Sequence, residues 1–202
     1  MNLNNIHKKV IAEIVIDCID NEITLLLSNT KKVRLPDETI GTGGYFDESE
    51  RILAVATKNP TKIWFALLLH EYNHLRQWAE GMFNDPKYFS IDLWNWIEGN
   101  IELTKKDINK AIECARLIET DCEKRTTKMI KDNPDLKIDL INYIKGANSY
   151  LYFYEIVKNH RVWCKRAPYR IKEIIDLMPD HFVNNYKKLP KGYEKLVLEK
   201  CF

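Results

Sequence analysis

The stretch Trp64-Phe65-Ala66-Leu67-Leu68-Leu69-His70-Glu71-Tyr72-Asn73-His74-Leu75-Arg76-Gln77-Trp78 decides how the rest of the chain is read. Its centre has the pattern H-E-x-x-H. Two histidines four apart on a helix lie one turn above the other on the same side. They can share one zinc ion, and a glutamate directly after the first histidine can reach a water on that ion. Asn59-Pro60-Thr61 opens the helix, because proline is tolerated where a first-turn N–H has no partner, and Gly81 stops it after Glu80. At about 100° per residue, His70 and His74 share a face with Ile63, Ala66 and Leu67, which predicts that they point inward.

Upstream, Ile6, Val10, Ile11, Ile14, Val15 and Cys18 are spaced as one face of an amphipathic helix over residues 5–19. Ile23–Ser28 reads as a strand, and Lys31–Leu35 returns from the Asn29-Thr30 turn as its hairpin partner, ended by Pro36. Gly41-Thr42-Gly43-Gly44 is a loop without the strand-to-helix setting and trailing lysine of a phosphate-binding loop. Tyr45-Phe46 and Ile52–Thr57 read as further strands. The second is placed to form a cleft edge on which an extended peptide can pair.

Downstream, Phe83, Tyr88, Phe89, Trp94 and Trp96 crowd residues 82–104, with a short helix over Ile91–Ile97 closed by Gly99. The cluster is either a core flap or the apolar wall of a cleft. Thr104 followed by Asp107 caps a long helix that ends before Asn133-Pro134. With Ile108 as origin, Ala111, Ile112, Ala115, Cys122 and Ile130 lie within about 60°, and Glu119 and Glu123 fall on the same face. Asp121 points to solvent. Buried carboxylates need a cation, which can be Arg or Lys, or a metal held by His70 and His74. Ile138–Val157 is apolar or aromatic nearly all round in its second half, as in a helix buried on several sides. Pro168, Pro179 and Pro190 divide the tail into a helix over Tyr169–Leu177, a turn of helix over His181–Lys187 and an extended end.

The chain has 202 residues, 45% hydrophobic and 30% charged, as expected of one globular domain, 1–202. It divides into a helix and small sheet over 1–57, metal-site helices over 58–157 and a basic section over 158–202. That last section carries 11 Lys and Arg against 5 Asp and Glu, a balance of +6. Such a balance suits a solvated surface, an acidic partner or a phosphate backbone. No apolar run reaches the roughly 18 residues of a membrane span, and the first residues lack a secretory pattern. Cys18, Cys114, Cys122, Cys164 and Cys201 are odd in number with no CxxC, so free thiols and a cytoplasmic location are expected.

A catalytic zinc takes about three protein ligands and keeps one open position. His70 and His74 supply two, and Glu119 is the first choice for the third. Glu123, one turn on, is placed to orient a ligating histidine, and the roles of the two glutamates can be exchanged. Glu98, beside Gly99, ranks third. Glu71 is the general base, and Tyr150, Tyr154 and His160 are candidates to stabilise an oxyanion.

The motif helix, the strand before it and the acidic helix after it resemble the zincin superfamily of zinc metallopeptidases, in its glutamate-liganded branch. The chain is also similar to a group of uncharacterised proteins of tailed bacteriophages classed as metallopeptidases. The matching stretches are Leu68–Trp78, Leu93–Trp96, Glu119–Arg125 and Ala147–Tyr154. The resemblance implies a zincin-like α+β fold, predominantly helical, with a small N-terminal antiparallel sheet packed on the motif helix and a helical C-terminal part. It implies a Zn2+ cofactor, a peptide or protein substrate, and host cytoplasm if the chain is phage-encoded. The 45 residues from His74 to Glu119 exceed the usual spacing of that branch, and the tryptophan-rich insertion accounts for the excess. Two other classes fit the sequence. One is a zincin-fold or virion-associated protein that docks to a partner without catalysis. The other is a nucleic-acid-associated protein that uses the basic C-terminal section.

Overall fold

A computed structural model describes residues 3–34, 41–88 and 92–202. The fold is α+β and mostly helical, with a small three-stranded mixed sheet. Residues form two compact units, one from Met1–Gly81 and Lys124–Ile138, the other from Met82–Glu123 and Asp139–Phe202.

The first unit opens with α1 (Asn5–Asp20), capped by the Asn4 side chain, which accepts from the His7 N–H at 3.0 Å. Val10, Ile14 and Cys18 form its buried stripe. Strands β1 (Thr24–Ser28), β2 (Gly44–Asp47) and β3 (Ile52–Ala56) form one sheet in the order β1-β3-β2. Leu53, Ala54, Val55 and Ala56 are fully buried, as expected of a continuous apolar run covered on both faces. Helix α2 (Thr61–Ala79) packs on β2 and β3 with Trp64, Phe65, Leu68, Leu69 and Leu75 inward. The Tyr72 hydroxyl donates to Asp17 Oδ2 of α1. Buried Asn73 donates through Nδ2 to Leu69 O at 2.8 Å and to Thr126 Oγ1 at 3.1 Å. Arg125 grips the carboxylate of Glu80 with two bonds of 2.6 and 2.7 Å.

Thr126 and Arg125 belong to α4 (Lys105–Asp132), which follows the short helix α3 (Asp92–Ile97). The expected capping pair is present, with the Asp107 N–H donating to Thr104 Oγ1 at 3.3 Å and that hydroxyl donating to Asp107 Oδ2 at 2.6 Å. The second unit is built around α5 (Leu140–His160), whose Leu151, Phe153, Ile156 and Val157 are fully buried. Ile174 of α6 (Lys172–Asp176) and Tyr193 and Val197 of α7 (Tyr193–Lys200) complete that core. Arg116 and Glu155, both buried, pair at 2.9 Å.

Several expectations are corrected. The sheet is mixed, not antiparallel: β1 runs parallel to β3, and only β2 is antiparallel to it. Among the described residues no hairpin follows Ile23–Ser28, because the carbonyls of Ser28 and Thr30 accept from Thr57 and Lys58 at 2.8 and 3.0 Å. Val33 makes an isolated bridge with Thr42 instead. Ile52–Ala56 is consequently the central strand and not a cleft edge. The chain end is the helix α7, because Tyr193 and Val197, four apart, both find the core. Residues 181–187 form no helix, and Asn148 Nδ2 instead takes the carbonyls of Pro179 and His181 at 2.8 and 2.9 Å. Met1, Leu35, Pro36, Phe89 and Ile91, which figure in the sequence expectations, lie outside the described residues. None of the described helices is long and apolar enough to cross a membrane, and the five cysteines form no disulfide.

Gly44 tests how closely β2 is held. A Cβ there meets Ala54 O at 3.0 Å, Val55 Cγ2 at 3.1 Å and Leu67 Cδ2 at 3.2 Å. The central strand cannot give way, so Gly44→Ala should lower stability by about 1–3 kcal/mol. Urea unfolding with an unchanged midpoint would show that β2 has room to move.

Candidate metal centre

The apolar residues of α2 set the stage for its histidines. The buried arc runs from Trp64 and Phe65 through Leu68 and Tyr72 and reaches round to Asn73 and Gln77. His70, Glu71 and His74 lie just past its margin and are half-buried. The expectation that they point inward with Ile63, Ala66 and Leu67 holds in part: Ala66 is buried and Leu67 half-buried, but Ile63 is 56% exposed. A ligand at such a margin keeps low-dielectric neighbours on one side and access on the other.

The two imidazoles converge. Nε2 of His70 and Nε2 of His74 are 3.1 Å apart, and the rings stand nearly perpendicular at 87°. Two nitrogens on one tetrahedral zinc, each bonded at about 2.0–2.1 Å, sit roughly 3.3 Å apart, so the pair fits that role. Nδ1 of His74 lies 2.9 Å from Oε1 of Gln77, which is fully buried. An amide oxygen there calls for a proton on Nδ1 and leaves Nε2 to offer its lone pair. Glu71 is fixed from another direction: its Oε2 accepts from the Phe46 N–H of β2 at 3.1 Å. Ala56 N–H donates to Gly43 O at 2.8 Å, so alternation along β2 turns the backbone groups of Gly44 and Phe46 away from β3.

The remaining candidates lie in the second unit. Glu119 is half-buried on α4. Glu123 is 6% exposed, and its Oε2 accepts from the Tyr143 hydroxyl of α5 at 2.5 Å. Burial above all, then the neighbouring Tyr154 and the Glu119 carboxylate, push the Tyr150 phenol well above its ordinary value. Tyr154 is buried, with its ring 5.5 Å from that of Tyr150. His160 is exposed, and its Nε2 meets Glu194 at 2.9 Å. Glu98 is exposed and accepts from Asn100 at 3.0 Å. Asp121 is half-buried, not turned to solvent, because α4 is partly covered all round over residues 117–121. Leu93 and Trp96 of the aromatic cluster enter the core, whereas Trp94 is 51% exposed against Trp163 at 4.4 Å between ring centres.

Sequence reasoning missed Gln77, the Phe46 N–H, Asn73 with Thr126, and Tyr143. Gln77 had a signal, since it stands three residues after His74 on a helix. The others depend on contacts 20 or more residues apart, which no local pattern announces. No family model, curated protein or solved structure matches the chain.

Tyr143 is the clearest test of the carboxylate arrangement. Tyr143→Phe removes the hydroxyl from a buried acceptor and should cost about 1–3 kcal/mol of stability. Equal denaturation midpoints for the two proteins would mean that the bond carries no weight.

Proposed function

We propose that the chain is a zinc-dependent metallopeptidase, with His70, His74 and Glu119 as metal ligands and Glu71 as general base. The observation that carries this reading is the 3.1 Å convergence of two imidazole Nε2 atoms, one of them set in its tautomer by buried Gln77. The choice of glutamate follows from the periodicity of α4, where Glu119 and Glu123 lie one turn apart on the same face as Ile112 and Cys122. In this reading Glu123, tied to Tyr143, orients a ligand, and the two glutamates remain interchangeable.

Zinc, when bound, acidifies water towards a pKa of about 7 and polarises a carbonyl. The residues of the chain do the rest. Glu71, steadied through Oε2 by the Phe46 N–H, takes a proton from the attacking water and delivers it to the leaving amine. The raised Tyr150 phenol keeps its proton at neutral pH, which suits it to donate to a developing oxyanion, with Tyr154 beside it as the second candidate. His160 serves less well, since Glu194 holds its Nε2. β3 is the central strand, so Ile52–Thr57 is not the edge on which an extended peptide would pair.

Protein purified without chelator should carry one zinc per chain, and His74→Ala should lose it. Glu119→Ala should lose most of it, and equal retention there moves the third ligand to Glu123. Glu71→Gln should keep its zinc and lose peptide cleavage by about 10²–10⁴-fold. Native protein free of zinc sinks the proposal, and zinc-loaded protein that cuts no peptide library favours docking without catalysis.

A further inference from the structure

The sheet has a second edge that the metal site does not use. β1 lies at the end of the sheet away from β2. Thr24 N–H donates to Arg51 O, and Ser28 O accepts from Thr57 N–H, both at 2.8 Å. In a parallel ladder alternate residues bond the neighbour, so Thr24, Leu26 and Ser28 address β3. The N–H and C=O groups of Leu25 and Leu27 therefore face outward, and none has a backbone partner among the described residues. Apolar surface surrounds them. Leu26 is 46% exposed, and Ile19, which walls the groove beside Leu25 and Leu27, is 69% exposed. A groove of about 420 Å³ runs between α1 and β1, walled by Ile11, Val15, Ile19, Leu25 and Leu27. A bare apolar edge strand is a template for another strand, and natural proteins cover or charge such edges. This one carries no charge over Thr24-Leu25-Leu26-Leu27-Ser28.

The order of residues identifies the occupant. The strand is a chemical palindrome about Leu26: hydroxyl, leucine, leucine, leucine, hydroxyl. We propose that a second copy of the chain docks here, the two β1 strands pairing antiparallel across a two-fold axis at Leu26. That register makes Leu25 and the second copy's Leu27 a hydrogen-bonded pair, and the reverse, which satisfies all four outward groups on each strand. Leu26 meets its own counterpart at the close, non-hydrogen-bonded position, and Thr24 meets Ser28, a favourable cross-strand pair. The two α1 helices then flank the axis in opposite directions. The exposed Lys8 and Lys9 of one turn their end towards the exposed Asp20 and Glu22 end of the other, so charge favours the arrangement. The resulting sheet is continuous across both copies. The inference rests on α1 and β1 alone and is independent of the metal site.

Sedimentation and light scattering of the full chain should give a dimer that dissociates on dilution. Leu26→Lys sets two ammonium groups opposite each other and should raise the dissociation constant by more than about tenfold. A pair of cysteine variants reads the register. Oxidised Leu26→Cys should form a disulfide between copies, and Leu25→Cys, opposite Leu27, should not. Native Cys18 is buried, so background cross-linking through the groove is low. A chain that stays monomeric at every concentration overturns the proposal and leaves the edge to a foreign strand. So does a dimer in which Leu25→Cys cross-links as well as Leu26→Cys.

Discussion

The burial of Asn73 is the constraint on which the candidate site depends. A fully buried amide must find partners, because leaving a polar group dry and unbonded costs about 1–3 kcal/mol. Asn73 finds them in the carbonyl one turn back on its own helix and in Thr126 of α4. It stands between the two histidines in sequence, so satisfying it pins the C-terminal part of α4 against the middle of the motif. The Glu80–Arg125 pair repeats the tie near the end of α2, with the two-bond geometry that makes an arginine–carboxylate pair directional. Together they fix the rotation of α4 about its axis where it meets α2.

The histidines illustrate how one helix can serve a core and carry a candidate site at once. About half the circumference of α2 is committed to the sheet and α1, from Trp64 and Phe65 through Leu68, Tyr72 and Leu75. A ligand deep in that arc would be inaccessible, and one on the far side would be wet and mobile. His70 and His74 occupy the margin, and Gln77, one turn past His74 and fully buried, holds the second ring from the dry side. Glu71 sits further round and is anchored by a backbone N–H, a donor whose position is set by the sheet and does not titrate. These side chains are held by two elements, α2 and β2, whose own packing is fixed, as a preorganised site requires.

Much of this was legible in the sequence wherever the information is local. The caps at Thr104 and Asp107 and the stop at Gly81 are short-range chemistry, and the structure places helix ends there. The face of α4 that carries Ala111, Ile112, Cys122 and Ile130 is buried as its periodicity predicts. What the sequence hid is pairing over distance. Ile23–Ser28 has the composition of a strand, but its partner is the strand 28 residues on and not the turn that follows it. Composition specifies that a segment is extended, whereas the partner is chosen by which apolar run can be covered on both faces. Ile52–Ala56 is the most continuously apolar of the three, so it takes the centre and leaves the other two at the edges. The Tyr143–Glu123 bond was invisible for the same reason. Helix α7 is a different case, since Tyr193 and Val197 are spaced helically but the run is only 8 residues long, too short to stand out without the core it fills.

The central position of β3 also explains why the two edges of so small a sheet differ. A three-stranded sheet has two free rows of backbone groups, and each must be answered or exposed. Beside β2 the row is short and answered locally: Val33 takes Thr42, and Glu71 takes the Phe46 N–H, so that edge is tied to the motif helix. On β1 the row has leucines on both faces, and no side chain among the described residues bonds to the outward groups of Leu25 and Leu27. The same choice of centre strand therefore commits one edge to a carboxylate and leaves the other apolar. Parallel pairing of β1 with β3 sharpens the contrast, because it sets Leu25 and Leu27 outward beside the groove of α1 while Leu26, which addresses β3 through its backbone, shows its side chain on the opposite face. Any partner for that edge must bring both a strand and apolar cover on two faces, which is a narrow specification that β1 itself meets.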